Sequence, residues 1–126
     1  MNDFCTWEIN GLKFKLDMED ADTAERYQKA AEHFEKLDKT DEISGMADQI
    51  RRECEIFRMF FIDVLGKDAE KIFKDMPDNT RLYYDVYDSF LKFVHKQKVA
   101  AACRWLDLTK KYVPGMREDT KNESTI

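Results

Sequence analysis

From Cys5 to Leu16 the chain alternates. Cys5, Trp7 and Ile9, then Leu12, Phe14 and Leu16, are apolar, and the residues between them are polar. A period of two marks a β-strand with one face turned inward. Asn10-Gly11 separates the two runs, and this pair favours a type I′ turn, whose two central residues both need positive φ. A two-residue loop fixes the register. Ile9 then faces Leu12, Trp7 faces Phe14 and Cys5 faces Leu16, while Glu8 faces Lys13 and Thr6 faces Lys15 on the other side. Opposite charges thus meet across the strands. An isolated hairpin is marginal in water, so its apolar face must rest on the remainder of the chain.

Beyond the hairpin the period lengthens to three and four. Met18, Ala21, Ala24, Tyr27, Ala31, Phe34 and Leu37 form one stripe and predict a helix from about Met18 to Lys39. Acids at its start (Glu19, Asp20, Asp22) and lysines at its end (Lys36, Lys39) suit the helix dipole. Glu25–Lys29, Glu32–Lys36 and Glu35–Lys39 are favourable i,i+4 pairs. Ile43, Met46, Ile50, Cys54, Phe57, Phe61 and Val64 predict a second helix from about Asp41 to Leu65, stopped by Gly66. Its second half is apolar nearly all round, as in a helix buried on several sides. Asp68 is placed to cap a short helix, Ala69 to Asp75, which Pro77 and Asn79 end.

Leu82, Val86, Phe90, Val94, Ala101, Trp105, Leu108 and Tyr112 predict a last helix from about Thr80 to Tyr112. At 1.5 Å per residue it spans roughly 50 Å, more than a compact domain of this size. Either it bends near Val99–Ala102, or its end projects and packs on another chain. After Pro114-Gly115 the tail, residues 115–126, is polar and expected to be disordered. The expected fold is therefore mainly α, with an N-terminal hairpin (about residues 4–16) on a bundle of three to four helices. It forms a single domain over residues 1–114.

Composition agrees with this reading. The chain has 126 residues, enough for one domain, with 43% hydrophobic and 37% charged residues and only 4 Gly and 2 Pro. A net charge of −5 speaks against a nucleic-acid partner, because phosphate backbones attract positive surfaces. The longest apolar run, Ile56 to Leu65, is broken by Arg58 and Asp63 and is too short to cross a bilayer. Cys5, Cys54 and Cys103 lie 49 residues apart. An odd count with no secretion-signal pattern ahead of it reads as reduced thiols in a cytoplasm.

No pattern announces catalysis. His33 and His95 have no ligand or triad partner at a meaningful spacing, and Cys54 and Cys103 fall on apolar helical faces, where cysteine packs as a small hydrophobe. Gly-rich phosphate loops and hydrolase elbows are missing from the sequence. Acidic pairs such as Asp20/Asp22 and Asp41/Glu42 read as helix starts. The expectation is a protein that is not an enzyme, with no cofactor and no metal.

Charge is unevenly spread. Residues 17–42 hold ten acids against four bases, and in residues 92–111 six bases stand against Asp107 alone. The two stretches are either ordinary solvated helix faces or complementary faces for head-to-tail association between copies. Tyrosine joins apolar area to a polar tip, so Tyr83, Tyr84 and Tyr87 are candidate interface residues. Phe60 belongs to the aromatic group that is either core or a patch for a partner helix. With Lys96, Lys98 and Arg104 these complete the candidate interaction surface.

Three stretches carry a resemblance: Thr6-Trp-Glu-Ile-Asn-Gly-Leu-Lys-Phe-Lys-Leu-Asp17, Ala24-Glu-Arg-Tyr-Gln-Lys29 and Tyr87-Asp-Ser-Phe-Leu-Lys-Phe-Val94. They resemble a family of small prophage proteins of Gram-positive bacteria, itself similar to the tail assembly chaperones of long-tailed phages. The likeness runs over roughly residues 4–98. It implies a short, acidic, helical protein of the host cytoplasm that self-associates, coats the tape-measure protein and recruits tail-tube subunits. A second reading is a phage-encoded inhibitor that occupies a basic surface of a host defence protein.

Overall fold

The structure, a computed structural model, describes residues 3–38 and 45–112. The expected tail at 115–126, the start of the second helix at Asp41, Ile43 and the Glu35–Lys39 pair lie outside the described residues.

A single 3₁₀ turn, Asp3–Cys5, leads into strands β1 (Thr6–Ile9) and β2 (Leu12–Lys15). They pair antiparallel in the expected register, Thr6 with Lys15, Trp7 with Phe14, Glu8 with Lys13 and Ile9 with Leu12. The Leu16 N–H donates to the Cys5 carbonyl at 2.8 Å and carries the ladder one step further. Asn10 and Gly11 take φ of +50° and +79°, the left-handed pair a type I′ turn requires.

Helix α1 (Ala21–Asp38) begins at Asp20 rather than Met18. The Asp20 carboxylate accepts the Thr23 N–H and hydroxyl, both at 3.1 Å, and this N-cap fixes the start. Helix α2 (Met46–Leu65) ends at Gly66, whose φ of +92° turns the chain away while its N–H still donates to Ile62 O. The short helix expected at Ala69–Asp75 is instead a 3₁₀ segment, Lys67–Phe73, preceded by Gly66 and not capped by Asp68. Asn79 serves the next element: its Oδ1 accepts the Arg81 and Leu82 N–H groups and starts helix α3 (Thr80–Tyr112). Helix α3 is continuous through Val99–Ala102. Beyond it most of the described side chains are exposed, so the end of α3 extends past the bundle core, with Thr109 buried.

The core lies where α2 is sandwiched. Phe57, Phe60, Phe61 and Val64 of α2 pack with Tyr83, Val86, Phe90 and Val94 of α3 and with Ala69, Ile72 and Phe73 of the 3₁₀ segment. Helix α1 covers this with a half-buried face, only Ala30 being fully inside. Trp7 seats the hairpin. Its indole stacks on Phe61 at 5.6 Å, meets Phe90 edge-on at 5.1 Å, and donates from Nε1 to Ser89 Oγ at 3.1 Å.

Two stripe assignments need correction. Met46, expected on the inner face of α2, is 79% exposed at its first residue. On α3 the inward residue is Tyr83, not Leu82. Steps of four along 82, 86, 90 and 94 drift by ~40° each at 3.6 residues per turn. The observed face (Tyr83, Val86, Phe90, Val94, Gln97) mixes steps of three and four and stays straight.

Candidate protein-binding surface

Helix α3 organises the candidate residues, because one half of it is core and the other half leaves the bundle. At 100° per residue, Ala101, Trp105 and Leu108 continue the inward face set by Val86, Phe90 and Val94. Past Gln97, however, most of the described side chains are exposed, Thr109 being buried. Trp105 is 65% exposed and Leu108 47%; Leu106 and Val99, on the opposite side of the helix, are 54% and 47% exposed. The apolar stripe keeps its period beyond the point where the bundle uses it.

Two of the residues expected at the surface are inside. Phe60 is buried against Phe61, Phe90 and Tyr87, on the face of α2 turned to the core. Tyr83 is fully buried and stacks on Phe73 at 4.8 Å. Its polar tip meets a partner, not solvent: Arg58 Nη1 donates to its hydroxyl at 2.7 Å and to Asp78 Oδ1 at 3.2 Å. Burial pushes the Tyr83 phenol above its usual pKa, against the pull of Arg58. Both residues are therefore removed from the interaction surface.

The remaining five are at or near the surface; Tyr84 and Tyr87 share one cleft, and the three basic residues lie elsewhere. Tyr84 is half exposed and donates to Glu53 Oε1 at 3.1 Å. Tyr87 is half-buried, wedged between Phe34 and Phe57. Lys98 sits with Nζ 5.8 Å from the centroid of the Tyr27 ring, a cation–π distance. Lys96 lines a shallow groove of about 720 Å³ with Phe4, Leu91, Lys92, His95 and Val99, along the outer side of α3. Arg104 forms a bidentate pair with Glu19, at 2.9 and 2.6 Å. That pair spends part of the acid–base complementarity within one chain, joining the start of the acidic stretch to the basic end of α3. Being exposed, it is worth no more than about 1 kcal/mol.

The sequence pattern contained Trp105 and Leu108 on the stripe of the last helix, with a bend or a projecting end left open. Their excess over the length a small bundle can cover was the signal that they lie outside it. Gln97 was missed altogether, since a glutamine between lysines reads as surface. It is 1% exposed, accepts the Met18 N–H at 2.7 Å and donates to the Phe4 and Leu16 carbonyls at 3.0 and 2.8 Å.

Reactive groups are muted. The Cys54 thiol is fully buried, and burial, with Asp78 nearby, raises its pKa, which disfavours the nucleophilic thiolate. His33 Nδ1 lies 3.2 Å from Asp63 Oδ2 on an exposed face. Among the described residues no group of three His, Cys, Asp or Glu side chains could hold a metal ion. No described helix is long and apolar enough to cross a membrane.

Comparison with protein families gives one match. The model of the family described as "Family of unknown function (DUF6673)" aligns with residues 10–124. The chain belongs to the DUF6673 family. The DUF6673 match begins at the turn residue Asn10 and takes in β2, all three helices and the projecting end of α3. No curated protein and no solved structure matches the chain.

Proposed function

We propose that this DUF6673 protein is a non-enzymatic assembly chaperone of a long-tailed phage, acting in the host cytoplasm. It self-associates and holds an extended helical partner, the tape-measure protein. The observation that carries this reading is the projecting end of α3. Trp105, Leu106, Leu108 and Val99 stand in water on a helix whose first half is packed. Exposed apolar side chains that continue a packed face, here Trp105 and Leu108, mark a place where another chain docks, with Val99 and Leu106 on the opposite side of the helix. A periodic apolar stripe on a straight helix fits a second amphipathic helix, whose residues at i, i+3, i+4 and i+7 anchor along it.

The class of partner comes from the resemblance of the Thr6–Asp17, Ala24–Lys29 and Tyr87–Val94 stretches to small prophage proteins. A tape-measure protein is long and helical, and needs its apolar stripe covered until the tube forms around it. The same α3 face serves contacts between copies, so that neighbouring chaperones line up along one partner. The test is co-expression with the tape-measure protein of the same phage. The chaperone should keep that protein soluble and co-purify with it. No change in its solubility overturns the reading.

A further inference from the structure

The three helices enclose a second feature, away from the end of α3. Phe34 of α1, Glu53, Ile56 and Phe57 of α2, and Tyr84 and Tyr87 of α3 line a cleft of about 260 Å³. That is below the roughly 300–1,000 Å³ of sites for whole small molecules, and suits the tip of one side chain. Four of the six residues are aromatic. Phe57 lies 5.2 Å from Phe34, 5.4 Å from Tyr84 and 5.3 Å from Tyr87, with interplanar angles of 46°, 76° and 57°. Phe34 and Tyr87 stack on each other at 5.5 Å and 29°, and Phe57 and Tyr84 stand at an angle beside them.

The cleft's chemistry is one-sided. Each ring carries partial negative charge on its face. Glu53 adds a carboxylate, held in place by the Tyr84 hydroxyl at 3.1 Å, and no lysine, arginine or histidine is among the lining residues. Burial raises the Tyr87 phenol pKa, so that ring stays neutral. A neutral apolar occupant would bury the Glu53 carboxylate with the Tyr84 hydroxyl as its partner among the described residues, too little for a charge. A cation satisfies rings and carboxylate together. Among cations the guanidinium fits best, because it is planar, weakly hydrated, stacks on aromatic faces and still donates hydrogen bonds to a carboxylate. A quaternary ammonium has no N–H to give Glu53.

We propose that this cleft binds the guanidinium of an arginine side chain carried by a protein partner. The inference rests on the protein-binding reading for the source of the arginine, but the preference of the cleft stands apart from it.

The experiment is an NMR titration of the full chain with N-acetyl-arginine methylamide, alongside the neutral citrulline analogue and tetramethylammonium. Saturable shifts should be confined to the residues lining the cleft, with a dissociation constant on the order of 1 mM for so small a probe. E53Q should weaken binding by about tenfold, the worth of a hydrogen bond to a charged group, with an unchanged thermal melt. Glu25→Gln, a surface carboxylate elsewhere on α1, should bind as the native chain does. The proposal is overturned if no saturable shift occurs, if citrulline binds equally, if E53Q binds equally, or if tetramethylammonium binds more tightly. Arginine binding together with a failed co-expression would keep the cleft and remove the chaperone. The converse pair would do the reverse.

Discussion

At the residue scale, Gln97 does most to join the parts of the fold. It ties the Phe4 and Leu16 carbonyls and the Met18 N–H, which flank the hairpin, to the middle of α3. Replacing it with alanine leaves one buried and two part-buried backbone groups without this partner, so Gln97→Ala should lower stability by about 2–3 kcal/mol. Urea denaturation reads this directly, and a loss below about 1 kcal/mol would mean that water substitutes for the amide. The residue was illegible in the sequence for a physical reason: its neighbours His95, Lys96 and Lys98 are exposed, and nothing local distinguishes a buried glutamine from them. Cysteines make a second case. Cys103 is exposed, Cys5 half-buried and Cys54 buried, and all three are free. A thiol-specific disulfide reagent should modify Cys103 at once and Cys5 more slowly. Cys54 should react only at the rate of unfolding, and its rapid modification in the native state would contradict the packing.

At the element scale, the hairpin was the most legible part of the chain. Turn chemistry, period-two alternation and cross-strand charge all pointed to one register, and Asn10 and Gly11 adopt the conformation they demand. Gly11→Ala places a Cβ at φ of +79°, where open space does not relieve the backbone strain, and should cost about 1–2 kcal/mol. The near-ultraviolet signal of Trp7 should be kept, because the hairpin is held from below by Phe61 and Phe90; losing it would show that the turn, not the packing, holds the hairpin. The helices were legible as elements and less so at their edges and faces. Asp20, not Met18, starts α1 because its carboxylate reaches the Thr23 N–H. Tyr83 replaces Leu82 inside because repeated steps of four drift around the helix. The candidate surface was half legible for the same reason. Aromatic residues such as Phe60 and Tyr83 look alike in sequence whether they face a partner or the core, and only the position of α2 between its neighbours decides.

At the scale of the whole molecule, the mismatch between a 33-residue helix and a small bundle is the central fact. The bundle buries the inner face of α3 as far as Gln97; beyond it Thr109 is buried, but Trp105 and Leu108 of the same stripe are exposed. The exposed Arg104–Glu19 pair gives that extension little support. On the proposed reading its exposed apolar residues, Trp105 and Leu108, meet another chain. Sedimentation equilibrium should find the average mass rising with concentration, and the double change Trp105→Asp, Leu108→Asp should hold the chain monomeric without lowering its melting temperature. A native chain that stays monomeric to about 100 µM, well above the micromolar range of weak specific contacts, would contradict self-association.

The most direct measurement of the central claim is co-purification with the tape-measure protein, comparing the native chain with the Trp105→Asp, Leu108→Asp variant. The projecting α3 end predicts that the native chain retains a soluble partner in roughly stoichiometric amount and that the variant loses it, since two buried charges weaken an apolar contact by more than about a hundredfold. Equal retention by both chains, or by neither, would contradict it.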